Sequence, residues 1–192
     1  MRGFIFGVIF TVIVIVLGVF GTIHFGLFPL GADNPPGKVE RTLANSAMDE
    51  YVDRHMPEQK ENPFQPTSDN LTEGAHIYEK HCSLCHGGAT NKISPMHTKF
   101  SPPVPQIINR IPHDEDGHLW WVTKHGIRMT AMPSWDGVLT DEQMWKTILF
   151  IKHSNALPPD VQMAWQEIAT PAPTTEPVQQ ATPPTPKPPS KH

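Results

Sequence analysis

The sequence predicts an all-α protein in which a membrane-spanning helix precedes a small helical domain. Residues 4–23 form a run of twenty residues without a charge. Residues 70–73 and 140–143 each place a side-chain acceptor three residues before Glu or Gln, an arrangement typical of helix starts. The alternation of apolar and polar residues that is typical of strands is scarcely seen. Together these observations favour helices over sheets.

The composition limits the number of domains and the class of partner. The chain has 192 residues, enough for one ordinary domain with attachments. Its net charge of -4 and its scattered Lys and Arg residues provide no basic stripe, so no nucleic acid is expected as a partner. The 22 prolines cluster in stretches without hydrophobic periodicity, which we interpret as linkers.

The uncharged run is long enough to cross a bilayer. It exceeds the apolar core of a typical cleaved signal peptide, and Val19-Phe20-Gly21 is a poor cleavage site. We therefore predict a retained transmembrane anchor over residues 1–30, with a removed leader as the alternative. Arg2 and the terminal amine precede the run, so the positive-inside rule orients all later residues outward.

Residues 31–69 are predicted to be a linker that contains one amphipathic helix, Lys38 to His55. Its apolar positions recur at spacings of three and four, and they are Leu43, Ala47, Met48, Tyr51 and Val52. This face is expected to contact the following domain, a partner subunit or the membrane surface, and its mixed charges favour protein over lipid. Residues 57–68 are expected to be an extended spacer.

The motif that carries the chemistry is Cys82-Ser83-Leu84-Cys85-His86, which contains the only two cysteines of the chain. This spacing is typical of a c-type haem, held by two thioether bonds and one axial imidazole. Two other interpretations of the motif are a thioredoxin-like dithiol and a zinc site that borrows histidines.

Helices are predicted on both sides of this motif. The first runs from about residue 70 to His81, with Gly74 and Tyr78 on one face, where a second helix can cross closely. A short helix covers 118–125, and a last helix starts after Thr140 and ends before the paired prolines 158 and 159. The intervening residues 88–116 are expected to form a loop over a prosthetic group.

A six-coordinate haem iron needs a second axial ligand, and Met132 is our choice. Pro133 restrains it on an irregular loop, which can direct a side chain inward. Met129 is the leading substitute, and packing beside Trp135 is the alternative role of Met132. A histidine as the distal ligand is a further alternative. The carbonyl of a loop proline, such as Pro95 or Pro102, is expected to orient His86.

Other residues near the expected site are assigned roles in haem binding or in packing. Asn109 and Arg110 are candidates to bind haem propionates, or else belong to a plain surface loop. The tryptophans in this part of the chain are expected to pack around the pocket, and they are Trp120, Trp121, Trp135 and Trp145.

The motif, the Gly126 to Pro133 segment and the aromatic last helix together resemble a class I monohaem cytochrome c over residues 70–157. The resemblance implies a small class I cytochrome c fold, with three to five helices around one covalent haem c in a domain at 70–159. It also implies thioethers at Cys82 and Cys85, a proximal ligand at His86 and a distal ligand at Met132. Its first and last helices are expected to cross near Gly74.

Membrane-tethered relatives serve as subunits of respiratory complexes or as docking carriers, and in bacteria haem is attached outside the cytoplasmic membrane. The resemblance thus implies an electron-transfer protein, not an enzyme by itself, anchored in the bacterial cytoplasmic membrane with its haem domain in the periplasm. The alternatives are a five-coordinate haem gas sensor or peroxidase-like catalyst, and a thiol-disulfide oxidoreductase. Residues 160–192 are predicted to be a disordered Pro-rich tail.

Overall fold

The computed structural model describes residues 2–27 and 30–170, which contain seven helices and no strand longer than an isolated bridge. The all-α prediction is confirmed for this part of the chain. The helices, in order, are α1 (Arg2–His24), α2 (Lys38–His55), α3 (Ser68–His81), α4 (Ser83–His86), α5 (Asp116–His125), α6 (Asp141–His153) and α7 (Pro159–Ala169).

Helix α1 has the length and composition needed to cross a membrane, with a mean hydropathy of 2.9 over its most apolar window. None of its residues is buried against the rest of the chain. The exposed valine, isoleucine and phenylalanine side chains would be costly in water, and a bilayer offers them an apolar environment. Retention of this helix in the mature protein stays a prediction.

The core forms where α3 crosses α6. A Cβ placed on Gly74 would lie 2.9 Å from the Cβ of Phe150 and closer still to the backbone carbonyl of Lys146. Only glycine allows the two backbones to approach this closely. Tyr78 lies one turn further along α3 and packs on Phe150, with 5.4 Å between ring centroids. The predicted crossing near Gly74 is confirmed.

The two predicted capping boxes have different outcomes. At α6 the Thr140 hydroxyl accepts a hydrogen bond from the Gln143 backbone N–H (3.2 Å), and the Gln143 side chain accepts one from the Thr140 N–H (2.9 Å). Helix α3 starts earlier than predicted because the cap is Thr67, whose hydroxyl accepts from the Asn70 N–H at 3.3 Å. The Asn70 side chain donates instead to the carbonyl of Gln65.

Helix α7 corrects the predicted start of the tail at residue 160. Pro158 precedes the helix and Pro159 is its first residue, a position where the missing N–H costs nothing. The paired prolines end α6 and also begin α7. Val161 and Trp165 are buried against α3 and α6, so the folded unit extends to residue 169. The tail predicted for 171–192 lies outside the described residues.

The linker is only partly extended. Helix α2 has the bounds that its periodicity predicts. Its C-terminal half contacts α5 through Tyr51, whose ring lies 5.7 Å from that of Trp121, and the neighbouring Val52 is buried. Beyond α2, the Asn62 side chain donates to the carbonyl of Trp145 at 2.8 Å. Leu43, in the N-terminal half of α2, remains 66% exposed. The spacer therefore lies against the domain, whereas the first half of the helix does not.

Candidate haem-binding site

The two cysteines and the histidine of the motif share one helical turn. Cys82 ends α3, and its carbonyl accepts hydrogen bonds from the N–H groups of Cys85 (3.1 Å) and His86 (2.9 Å). The Ser83 hydroxyl bonds back to the carbonyl of Glu79 at 2.6 Å. The turn α4 therefore continues directly from the end of α3, and it carries Cys85 and His86 close behind Cys82.

The His86 ring is oriented by a backbone carbonyl. Its Nδ1 lies 2.8 Å from the carbonyl oxygen of Pro105. Since a carbonyl can only accept, Nδ1 carries the hydrogen, and in the neutral ring Nε2 keeps a free lone pair that can bind a metal. Burial lowers the pKa of His86 and favours this neutral form, although the bond to Pro105 opposes the shift. The prediction that a loop proline carbonyl orients the ring is confirmed, but this proline is Pro105 and neither of the two candidates, Pro95 and Pro102, because the loop brings Pro105 to the ring.

The environment of Cys82 is apolar. Its side chain packs against a cluster that contains Tyr78, Phe150 and Trp165. Burial raises the pKa of the Cys82 thiol to about 12, and the nearby Cys85 and Glu79 charges act in the same direction. A reactive dithiol needs the opposite shift, because the thiolate is its nucleophile. The site therefore disfavours the thiol-disulfide oxidoreductase interpretation.

Hydrogen bonds fix the chain just after the motif. The buried Tyr78 hydroxyl donates to the carbonyl of Gly87 at 2.6 Å. The Gln106 side chain donates to the carbonyl of Cys85 at 3.0 Å and accepts from the Ser94 N–H at 2.6 Å. Sequence reasoning missed Gln106, because a single glutamine in an aperiodic loop carries no pattern. The sequence predicts Tyr78 only as part of the face of α3 on which a second helix crosses. Its hydrogen bond to Gly87, which connects it to the motif, was not predicted.

The two candidate distal methionines lie in one tight loop but differ in exposure. Gly126 starts the loop with φ +68°, and a Cβ there would lie 2.6 Å from the carbonyl carbon of Pro133. The Met132 N–H donates to the Thr130 hydroxyl at 3.1 Å, and its side chain is half-buried. Met129 is 86% exposed. Burial thus favours Met132, and its coordination stays a prediction.

The other methionines after the motif and the two candidate propionate-binding residues differ in their exposure. Met144 is fully buried in α6, where it packs in a core cluster, and Met163 is exposed on α7. Met96 is half-buried in the loop after the motif. Asn109 and Arg110 are exposed, and their predicted contacts with propionates stay untested.

A comparison with protein families decides the identity of this domain. The family model for "Cytochrome C oxidase, cbb3-type, subunit III" matches residues 69–151, from the start of α3 to near the end of α6. These residues belong to the cytochrome c family. No curated protein matches the chain, and no solved structure does. The cytochrome c domain carries a covalently bound c-type haem and serves haem-based electron transfer.

One feature of the described residues of this cytochrome c domain suits a bound haem. The Trp120 Nε1–H is buried and has no hydrogen-bond partner among them. A buried donor without an acceptor costs about 1–3 kcal/mol. A haem propionate is an acceptor of the kind that this donor lacks.

The tryptophans expected to line the pocket do pack in the domain. Trp120 stacks on Trp145, with ring centroids 5.7 Å apart, and both Trp120 and Trp135 pack on a small cluster around Met144. The edge of the Trp135 ring meets His81 at a centroid distance of 5.1 Å. These contacts agree with the predicted packing role.

Proposed function

We propose that the chain is a membrane-anchored carrier of single electrons. In this proposal Cys82 and Cys85 bind one haem through thioethers, and His86 and Met132 are its axial ligands. The observation that carries the proposal is the His86 ring: Pro105 holds Nδ1, so Nε2 is free, and both thiols lie on the same turn. Bound haem supplies an iron that exchanges one electron between its ferric and ferrous states.

The residues of the chain have separate roles in this function. Pro105 fixes the tautomer and direction of His86, and its hydrogen bond makes the imidazole a stronger electron donor. The Met132 thioether favours the ferrous state and so raises the reduction potential. The Trp120 Nε1–H would donate to a haem propionate. None of these residues transfers a proton or forms a bond during electron exchange, so the protein performs no bond chemistry by itself.

The family and α1 support a place beside a membrane oxidase. The matched family is named for an oxidase subunit, and α1 is a candidate membrane span. We propose that the protein is a subunit of a membrane respiratory complex, or a carrier that docks on one, with the cytochrome c domain on the periplasmic side. An anchor confines the domain to the membrane surface and raises its effective concentration at the partner.

Mass spectrometry of the full chain tests haem attachment. The wild type should exceed its polypeptide mass by one haem, and a Cys82→Ala, Cys85→Ala variant should not. An unmodified wild type with two free thiols would instead indicate a dithiol protein.

Absorption spectra of the oxidised protein test the distal ligand. Met132→Ala should abolish the sulfur-to-iron charge-transfer band in the far red, whereas the matched control Met129→Ala should retain it. The reverse result would move the assignment to Met129. A wild type that lacks the band and binds carbon monoxide rapidly would indicate the five-coordinate sensor or catalyst.

Purification from native membranes in mild detergent tests the partner. Co-purification of oxidase subunits supports the proposed complex, and a cytochrome that elutes alone supports a carrier. Digestion by protease added to intact spheroplasts tests the periplasmic side, and a fully protected domain would contradict it.

A further inference from the structure

The side chain of Gln106 uses all of its hydrogen-bonding groups next to the haem motif. Its amide nitrogen donates to the carbonyls of Cys85 and Val104, both at 3.0 Å. Its amide oxygen accepts from the N–H of Ser94 at 2.6 Å, and Ser94 is buried. The amide group has two donor hydrogens and one acceptor oxygen, so each of these groups has a partner beside the motif.

The same residue also continues the chain from Pro105, the acceptor for His86. The carbonyl of Pro105 and the backbone nitrogen of Gln106 belong to the same planar peptide. A rotation of this peptide plane at Gln106 therefore tilts the carbonyl. The backbone carbonyl of Gln106 is held in turn by the N–H groups of Asn109 (3.1 Å) and Arg110 (2.9 Å). Pro105 has a fixed φ, which limits movement from the other side.

These contacts place Gln106 at both ends of the hydrogen bond between His86 and Pro105. The Gln106 side chain holds the peptide that joins Cys85 to His86, and its backbone carries the peptide that bonds to the His86 Nδ1. One residue therefore fixes both ends of the His86–Pro105 hydrogen bond. A shift of the loop that lengthens this bond must first break a contact of Gln106.

We propose that Gln106 is a positioning residue that sets the strength of the His86–Pro105 hydrogen bond and, through it, the reduction potential. This inference rests on the proposed ligation by His86. A strong bond at Nδ1 makes the imidazole more basic and favours the ferric state. Loss of the Gln106 contacts loosens this bond, and the potential rises.

The test uses full-length haem protein in mild detergent and two neutral variants, Gln106→Ala and Gln106→Met. Methionine has nearly the length of glutamine but cannot form the three hydrogen bonds. The control is Ser94→Ala, which removes the contacts of the Ser94 hydroxyl with the carbonyl of Leu84 and with the N–H of Met96 but leaves every bond of Gln106 in place. Haem content and the midpoint potential from a spectroelectrochemical titration are measured for each protein.

We expect both Gln106 variants to retain haem and to shift the potential upward, while Ser94→Ala stays near the wild type. In the reduced protein, the His86 Nδ1 proton should exchange with solvent faster in the Gln106 variants, as measured by NMR. An unshifted or lowered potential in the Gln106 variants overturns the proposal, as does an equal upward shift in Ser94→Ala.

Failure of both Gln106 variants to acquire haem, with normal Ser94→Ala, overturns it as well, because Gln106 would then serve folding alone. A wild type without haem refutes the proposed function itself and is distinguished from these outcomes by the haem assay.

Discussion

Replacement of Trp165 by Ala should strongly destabilise the cytochrome c domain, although the residue lies beyond the family match. Its side chain is 2% exposed, and its ring and that of Phe150 form an edge-to-face contact at a centroid distance of 4.9 Å. Truncation of a buried tryptophan to alanine costs about 3–5 kcal/mol. At roughly 4 °C per kcal/mol for a domain of this size, the melting temperature should fall by about 12–20 °C.

Trp165→Phe separates packing from hydrogen bonding. The indole Nε1–H donates to the Glu79 carboxylate at 2.8 Å, and phenylalanine keeps the apolar ring but loses this donor. Because Glu79 is half-exposed and can be rehydrated, we expect a loss of only about 1 kcal/mol.

The control is Met163→Ala, on the exposed face of the same helix, with an expected change within about 0.5 kcal/mol. The assay is thermal unfolding of the full-length protein in detergent, followed by haem absorption. If Trp165→Ala melts together with the Met163 control, α7 is not docked and the tail starts at 160 after all.

Three further substitutions test other parts of the domain. Gly74→Ala should destabilise the protein by about 1–3 kcal/mol in urea unfolding, because the helices must separate, while exposed His76→Ala on the same helix should not. Tyr78→Phe should cost about 1–2 kcal/mol at neutral pH, because it leaves the Gly87 carbonyl without its donor. Burial raises the pKa of Tyr78, so as the pH rises the unfolded chain loses the phenol proton before the folded protein does. The free energy of unfolding should therefore fall above about pH 10, by up to about 1.4 kcal/mol per pH unit. This fall should be less steep in Tyr78→Phe, which has no phenol proton at this position. Val52→Ala should cost about 1–2 kcal/mol and speed protease cleavage between α2 and α3, and unchanged cleavage would show that α2 is not anchored.

Local patterns in the sequence were sufficient to predict the helices that begin and end with strong signals. Thr140 and Gln143 cap α6 as expected, because a capping box needs only residues three apart. The bounds of α2 follow from its apolar spacing in the same way. Gly74 was identified because a glycine beside an aromatic on one helix face predicts a close crossing. All of these signals lie within one or two helical turns.

The parts that the sequence did not predict depend on contacts between distant residues. Pro105, and not Pro95 or Pro102, meets His86, because the path of the loop between them decides which carbonyl arrives. The Pro158–Pro159 pair was interpreted only as a helix end, since proline inside a helix breaks it, and its second role as a helix start was not considered. Trp165 donates a hydrogen bond to Glu79 on α3, and no local pattern in the sequence predicts a contact between two residues so far apart in the chain.

The contacts on either side of the matched region affect how the domain is held near the membrane. Val52 and Asn62 hold the later part of the linker on the domain, and near its start the Ser101 hydroxyl donates to the carbonyl of Asn34 at 3.3 Å. Between these contacts lies the exposed first half of α2, a helix of 18 residues and about 27 Å in length. The connection between the end of α1 at His24 and the first of these contacts is therefore short in sequence, and a short connection restricts the volume that the haem edge can reach. A restricted reach suits a domain that meets one fixed partner, which favours a subunit over a roaming carrier within the proposed function.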